Sequence, residues 1–270
     1  MGLYDIIGEI TEKQVTKTET GDNRIFGVLT GIVAKNYDES MKGRVCVTIP
    51  VRDKDANELQ WARVAMPSSG KNWGHYFLPE VGDQVLLVFE NGNIEKPYII
   101  GCIPKEKDRF LTKSADENNQ FKKIVTTHGN TILFEDNAQD EDGEKDKLTI
   151  MTSKEKLSVS LNNEKMQMSI KDKEGKNQII IDAEKGNINI DCEKKMTVKV
   201  NDVELTINGS SGNVSLKCKN FKVDADSMIE LKAGGNLKLE GANANFSGTS
   251  SVQLSSNASC KIAGTPIQIG

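Results

Sequence analysis

The second half of the chain, residues 124–270, repeats one short pattern. Apolar and polar residues alternate for three to five positions, and Gly, Asn, Asp, Ser or Lys then interrupts the run. Alternation with a period of two predicts strands that have one apolar face and one polar face. Strands that recur at such short intervals are typical of all-β proteins. The copies include 148–150, 157–161, 166–170, 188–192, 196–200, 203–207, 214–218, 221–223, 237–239, 252–254 and 267–269.

The apolar rows of this pattern are too thin to form a large core within one chain. After Phe134 the only aromatic residues are Phe221 and Phe246, and the apolar positions are Val, Ile, Leu, Met and a few Cys. A two-sheet sandwich usually carries larger residues between its sheets. Repeat proteins instead stack one-faced units into a continuous core. Three copies wrapped around one axis would meet this need, with a monomeric β-solenoid or a sandwich as alternatives.

Composition excludes several classes of function. The chain has 270 residues, 5% aromatic content and a net charge of −4, which gives no electrostatic basis for nucleic acid as a main partner. The first residues lack a basic start followed by an apolar core, and no apolar run reaches the length of a membrane span. We therefore expect a protein made in the cytoplasm without a signal peptide.

The cysteines are predicted to be small buried hydrophobic residues. Their number is odd, no CxxC motif is present, and most occupy apolar positions of strand-like runs. Such a pattern does not indicate a disulfide framework. The five are Cys46, Cys102, Cys192, Cys218 and Cys260.

Residues 25–105 have a different sequence pattern, which predicts a small closed β-barrel. Gly92, in the sequence ENGN, marks a hairpin between the last two strand-like runs. Five strands with a long loop between the third and the fourth are typical of the OB-fold. A charged linker, 106–123, separates this domain from the repeats, and an arm, 1–24, precedes it. The five runs are 26–34, 43–50, 60–65, 84–89 and 96–103.

The barrel segment also carries an ordered set of motifs. They are WARVAMP at 61–67, GKNWG at 70–74, FLPEVGDQV at 77–85, FENGN at 89–93 and KPYIIG at 96–101. This set resembles the OB domain of contractile-tail spike proteins, which include phage baseplate protein V and the VgrG proteins of type VI secretion. The run HGNTILFED at 128–136 resembles the segment that opens the needle of VgrG-type spikes.

The resemblance implies an all-β protein in which a small OB-fold barrel precedes an intertwined trimeric β-helix, or β-prism, at 124–270. It implies a homotrimeric central spike of a phage tail, a phage-tail-like bacteriocin or a related injection system. Such a spike attaches to the baseplate hub and pierces the target cell envelope when the sheath contracts. It is not an enzyme, needs no cofactor, and is found in the assembled particle and outside the cell after release.

The resemblance assigns roles to individual residues. Trp61, Trp73, Phe77 and Tyr98 are predicted to supply most of the aromatic volume of the barrel. The same motifs contain a turn that launches the fourth strand, and a segment that starts the needle. The turn and motif residues are Pro79, Gly82, Asp83 and Gly101, and the needle start is His128, Gly129 and Phe134.

Partners are expected at both ends of the chain. The arm is too short to contain the hub domain of VgrG proteins, so a separate hub protein is implied. Ile6, Ile7 and Ile10 could dock on it, and a flexible tail is the alternative. The other end has no His-x-His motif of the kind that binds iron in some phage spikes. It is predicted to be a blunt strand end that binds a PAAR-type cap. Its residues are Ile267, Ile269 and Gly270.

Three other functions have little support in the residues. An OB-fold that binds nucleic acid or carbohydrate needs basic and aromatic residues on one face. Those available are few, and the repeats have no place in that function. A cell-wall hydrolase is disfavoured, because the chain has two distant histidines and no HExxH, GxSxG or P-loop motif. The acidic stretch 137–147 reads as a solvated loop, and its spacing does not fit an EF-hand calcium site. The basic and aromatic residues are Arg44, Arg52, Arg63, Lys71 and Trp73, and the histidines are His75 and His128.

Overall fold

The structure is a computed structural model that describes residues 24–50 and 60–268. In these residues the regular secondary structure is almost entirely β, as the alternation predicts, with one four-residue α-helix and two 3-10 turns, Glu90–Gly92 and Ser153–Glu155. The elements are β1 (Leu29–Lys35), β2 (Arg44–Thr48), β3 (Gln60–Val64), β4 (Gln84–Phe89), β5 (Pro97–Cys102), α1 (Arg109–Thr112), β6 (Phe121–Val125), β7 (Thr131–Glu135), β8 (Lys147–Met151), β9 (Leu157–Asn162), β10 (Gln167–Asp172), β11 (Gln178–Asp182), β12 (Asn187–Asp191), β13 (Lys195–Val200), β14 (Val203–Asn208) and β15 (Asn213–Lys217).

The first five strands close into a barrel in the order β1-β2-β3-β5-β4, which confirms the five-stranded barrel predicted from the sequence. β3 and β5 are parallel, and the other neighbours are antiparallel. The ladder shifts register between Leu86 and Leu87 and between Val33 and Lys35, and such irregularities help a sheet to curve. The core is aliphatic apart from one aromatic residue, and consists of Val33, Val45, Val47, Ile49, Ala62, Val85, Leu87, Phe89, Ile94 and Ile99.

The aromatic prediction was wrong. Trp73 and Phe77 lie in the loop between β3 and β4 and are 68% and 62% exposed. Trp61 and Tyr98 are only half-buried. Each is next to a buried residue on its own strand, Ala62 or Ile99, and neighbours on a strand point to opposite sides. They therefore lie outside the barrel, and Phe89 is the aromatic residue of its core.

The prediction that the cysteines are buried is confirmed only in part. Cys46 is buried, at the barrel position that pairs with Trp61 on β3. Cys218 is half-buried, whereas Cys102, Cys192 and Cys260 are exposed in the single chain. Burial raises the pKa of the Cys46 thiol, so this thiol stays protonated at neutral pH.

Gly31 lets β1 approach the centre of the barrel. A Cβ placed there would lie 2.7 Å from Leu87 Cδ1 and 3.3 Å from the Thr48 carbonyl oxygen, and Leu87 is fully buried. We predict that Gly31→Val lowers the free energy of barrel unfolding by about 1–3 kcal/mol, because the core is overpacked.

The matched control for this prediction is Gly101 on β5, where an added Cβ would meet nothing within 4 Å. Gly101→Val should change the unfolding free energy by less than about 0.5 kcal/mol. Urea denaturation followed by tryptophan fluorescence measures both variants. Equal losses at the two glycines would contradict the packing described here.

The seven strands β6–β12 form one antiparallel meander, in which each strand pairs with the next along the chain. The first of them begins at Phe121, three residues before the predicted start of the repeats. The acidic stretch is the loop between β7 and β8, as predicted. Lys123 joins this sheet to the linker, since its Nζ donates to the Lys113 carbonyl at 2.8 Å and lies 5.7 Å from the Phe110 ring centre.

The strands β13–β15 form a separate three-stranded sheet, most of which belongs to a second packing unit with residues 213–268. In the described residues beyond Lys217 there is no further strand. The predicted strands at 221–223, 237–239 and 252–254 are therefore not formed in this chain, and 267–269 lies partly outside the described residues. A strand needs a neighbouring edge for its backbone groups, and alternation does not say whether the same chain supplies that edge.

Candidate functional site: the apolar sheet face

Two rows of apolar side chains run across one face of the seven-stranded sheet. The registers place them directly opposite one another from strand to strand. On β7 to β12 the residues of the two rows are separated by two positions along the strand, so both rows point to the same side, and β6 contributes Ile124 alone. We call this surface the apolar face. Its first row is Ile124, Ile132, Ile150, Val159, Ile170, Ile179 and Ile190, and its second row is Phe134, Leu148, Leu161, Met168, Ile181 and Ile188.

The described part of the chain leaves the apolar face largely exposed. Ile181 is 37% exposed and Ile188 is 68% exposed, whereas Leu87 in the barrel core is fully buried. Among the described residues, all buried hydrophobic side chains lie between Val33 and Ile99. Soluble monomers rarely expose large contiguous apolar patches, so this surface is a candidate interaction site.

The opposite face of the same sheet is mostly polar, although it includes the partly buried Leu133 and Ile180 and the buried Thr149. Lys147 Nζ lies 3.4 Å from Glu135 Oε2 across β7 and β8, and Gln178 Nε2 donates to Asp191 Oδ2 at 2.7 Å across β11 and β12. These contacts are partly exposed and contribute about 0–1 kcal/mol each. The sheet therefore has one mostly polar face, which is suited to water, and one apolar face, which is suited to an apolar partner.

The residues assigned to the needle start occupy two different places. His128 and Gly129 lie in the β6–β7 turn, where Gly129 has φ +92° and its N–H donates to the Thr126 carbonyl at 2.8 Å. Phe134 lies on β7 in the second row of the apolar face and is 44% exposed. Only Phe134 therefore contributes to the apolar face.

The turn before β4 is built by backbone and carboxylate hydrogen bonds. The Asp83 N–H donates to the Glu80 carbonyl at 3.0 Å, and Asp83 Oδ2 accepts from the Glu80 N–H at 2.9 Å. Gly82 has φ +94°, and its N–H donates to the Val33 carbonyl at 2.9 Å. Pro79 is buried just before this turn. The loop from Pro79 to Asp83 is thus fixed against β1.

Tyr98 has a polar role on the outside of the barrel. Its hydroxyl donates to Glu90 Oε2 at 2.8 Å, and Lys96 Nζ lies 3.4 Å from Glu90 Oε1. The hydrogen bond from Tyr98 and the neighbouring Lys96 hold the pKa of Glu90 below its ordinary value. These contacts brace the connection between β4 and β5 and offer no catalytic arrangement.

The residues predicted to meet other proteins are mostly outside the described ranges. Ile6, Ile7 and Ile10 precede residue 24, and Ile269 and Gly270 follow residue 268. Ile267 is described and is 50% exposed. Among residues 24–50 and 60–268, no group of three or more His, Cys, Asp or Glu could hold a metal ion. In the same residues no helix is long and apolar enough to cross a membrane.

Sequence reasoning missed the position of Phe77. This side chain lines a groove of about 770 Å³ on the apolar face, together with Ile124, Ile132 and Ile150. The alternation of Phe77 with Leu78, which packs against the barrel core, is the one signal that could have indicated it.

The barrel matches a family model, over residues 29–103, described as the type VI secretion system and phage-baseplate injector OB domain. Residues 29–103 thus resemble an injector OB domain. The match covers β1 to β5, so the family is recognised by the whole closed barrel and not by one motif. The resemblance to VgrG-like baseplate spikes is thereby confirmed for this domain.

Curated relatives support the same assignment. The chain is 30% identical over 87 residues to the type VI secretion system spike proteins VgrG1c and VgrG1a of Pseudomonas aeruginosa. VgrG5 of the same species is 31% identical over 93 residues. These alignments cover 30%, 30% and 32% of this chain but only 12%, 14% and 12% of the relatives' length. The chain thus matches a small fraction of each relative.

Proposed function

We propose that this chain is the structural subunit of a central spike in a contractile injection system. The observation that carries the proposal is the exposed apolar face on the sheet that follows an injector OB domain. The relatives are named spike proteins, which supports a structural role and not an enzymatic one. Three copies would bring their apolar faces together around one axis and form a needle.

The width of the apolar face favours three copies. Most strands present two apolar side chains to this face, and two positions along a strand span about 7 Å. Three such narrow faces close a triangular prism with a dry centre. Burying a fully exposed Ile, Leu or Val contributes about 1.5–3 kcal/mol. Since these side chains are roughly half-exposed, the gain is on the order of 10 kcal/mol per copy, an upper estimate.

The needle would act mechanically. Interchain packing along a continuous core resists bending and unfolding, and folding becomes inseparable from trimer formation. Sheath contraction would then drive the needle through the target cell envelope. Residues 241–270 contain a single charged side chain, Lys261, so little charge would have to leave water if this part of the chain entered an apolar layer.

The remaining parts of the proposal concern partners and location. A baseplate hub would bind residues 1–24, and a PAAR-type protein would bind the region near Ile267. The protein would act in the assembled particle. These statements are supported by the sequence and by the resemblance to spike proteins.

An unheated SDS gel tests the trimer on which this function depends. We expect a species that resists SDS at room temperature and collapses on boiling to the 29.7 kDa chain. Only monomer without heating would count against the spike. The alternative of an OB-fold that binds nucleic acid or carbohydrate predicts tight, salt-sensitive binding in a gel-shift assay, or retention on a carbohydrate matrix.

A further inference from the structure

The outer side of the barrel brings two arginines together. Arg44 on β2 lies directly opposite Arg63 on β3, and Arg63 in turn lies opposite Tyr98 on β5. Val45 and Ala62, the neighbours of the arginines along their strands, belong to the barrel core, so the arginines point outward. The three outward side chains therefore form one row across β2, β3 and β5, which we call the arginine row.

Trp61 lies beside the arginine row. It precedes Arg63 by two positions on β3, so both side chains point to the same side, and it is half-buried opposite Cys46. OB-folds that bind other molecules use the face of strands 2 and 3. Arginine, tryptophan and tyrosine are the residues enriched at the hot spots of protein–protein interfaces. The row and Trp61 thus lie where an OB-fold binds its ligand and have the composition of a protein-binding surface.

The two arginines have no counter-ion in the part of the chain that the structure describes. Within residues 24–50 and 60–268, neither guanidinium forms an ion pair, a hydrogen bond or a cation–π contact. Like charges directly opposite each other across a sheet are destabilising. Arg44 is also half-buried, and a charge without a partner is costly to take out of water. The arrangement is therefore unfavourable for the barrel alone and becomes favourable when an anion binds.

Glu90 is a carboxylate near the arginine row, but its oxygens are already engaged. Oε2 accepts from the Tyr98 hydroxyl at 2.8 Å, and Oε1 lies 3.4 Å from Lys96 Nζ. Tyr98 and Lys96, and more weakly the charge of Arg63, hold the pKa of Glu90 below its ordinary value. The negative charge of Glu90 and the net charge of −4 disfavour a nucleic acid, whose phosphates form a continuous row. They leave room for a short anionic segment on the two arginines.

We propose that the arginine row binds an acidic segment of a partner protein, with a carboxylate between Arg44 and Arg63 and the adjoining chain against Trp61. Guanidinium groups bind carboxylates through paired, charge-assisted hydrogen bonds. Charge complementarity identifies the occupant, because the row presents two cations without counter-ions beside an aromatic side chain. The inference concerns the barrel and does not depend on the number of copies in the assembly.

Peptide titration of the full chain at low ionic strength tests the occupant. The probes are hexaglutamate and hexaglutamine, and Trp73→Phe leaves Trp61 as the fluorescent reporter, since the chain has two tryptophans. Hexaglutamate should change the emission of Trp61, and hexaglutamine should not. Arg44→Gln and Arg63→Gln should each weaken the binding of hexaglutamate by about 10–100-fold, the effect of losing a hydrogen bond between charged groups.

Lys232→Gln is the matched control, because it removes the same charge from an exposed position in the other packing unit. It should leave the affinity for hexaglutamate unchanged. No binding, or equal binding by wild type and both arginine variants, would overturn the inference, and no binding is also expected if another copy of the chain covers the row. Oligothymidylate that binds more tightly than hexaglutamate, and is lost in the arginine variants, would make the occupant a nucleic acid and overturn the inference as well.

Thermal unfolding gives a second readout that needs no ligand. Because Arg44 and Arg63 repel each other, Arg63→Gln should raise the unfolding midpoint of the barrel by about 1–5 °C at low salt. High salt should remove this gain, since it screens the repulsion, and Lys232→Gln should not change the midpoint. A lower midpoint for Arg63→Gln would show that this arginine stabilises the barrel itself, and would overturn the inference.

Discussion

Replacing Ile190 with aspartate is expected to abolish the trimer, whereas Asn189→Asp is expected to leave it intact. The two residues are adjacent on β12 and both are exposed in the single chain, with Ile190 on the apolar face and Asn189 on the polar one. In a needle, Ile190→Asp would bury a carboxylate in each of three copies, at several kcal/mol per charge. Unheated SDS gels and size-exclusion chromatography measure the outcome.

Comparing these two variants shows whether the apolar face of β12 is an interface between copies or stays exposed to water. If the chain acted as a monomer, both aspartates would stay in water and both variants would behave like the wild type. A trimer that survives Ile190→Asp unchanged would show that the apolar face is not the interface.

The barrel should respond to mutation independently of the trimer. Leu87 is fully buried on β4, and Leu87→Ala should lower the free energy of barrel unfolding by about 2–5 kcal/mol through lost contacts and a cavity. For a domain of this size the unfolding midpoint falls by about 10–30 °C. The trimer should persist at room temperature, because its strands are formed by other residues. Differential scanning calorimetry and unheated SDS gels give the two readouts.

The control for this prediction is an exposed apolar residue of the same domain. Val81 is 61% exposed in the loop before β4, so Val81→Ala should shift the barrel midpoint by no more than a few degrees. Loss of the trimer in Leu87→Ala at room temperature would show that the barrel core and the needle form one cooperative unit.

The pattern of apolar residues predicted much of the fold because alternation depends on local chemistry. The five barrel strands and the strands β8, β9, β10 and β12 of the meander follow from it, whereas β6, β7 and β11 were not among the alternating runs. The same alternation also indicates on which side of their strands the aromatic residues lie, which the prediction of an aromatic core ignored. Trp61 and Tyr98 each neighbour a buried residue on the same strand, so they had to point away from the core. Resemblance to a family motif does not say which side of a strand a residue takes.

The sequence did not reveal the register between neighbouring strands or which segments pair with one another. That Ile132 lies directly opposite Ile124 and Ile150 depends on turn lengths that alternation does not encode. The hydrogen bond from Thr127 to Glu80 joins residues 47 positions apart and has no local signal. The runs after Lys217 look like strands yet pair with nothing in the described chain, since their neighbours would come from other copies in the proposed needle.

Mass by light scattering in dilute solution tests the central claim most directly. With a chain of 29.7 kDa, the account predicts about 89 kDa for a trimer, unchanged on dilution to the low micromolar range. A compact, well-folded species of 29.7 kDa under the same conditions would contradict it, because one chain would then be sheltering its own apolar face.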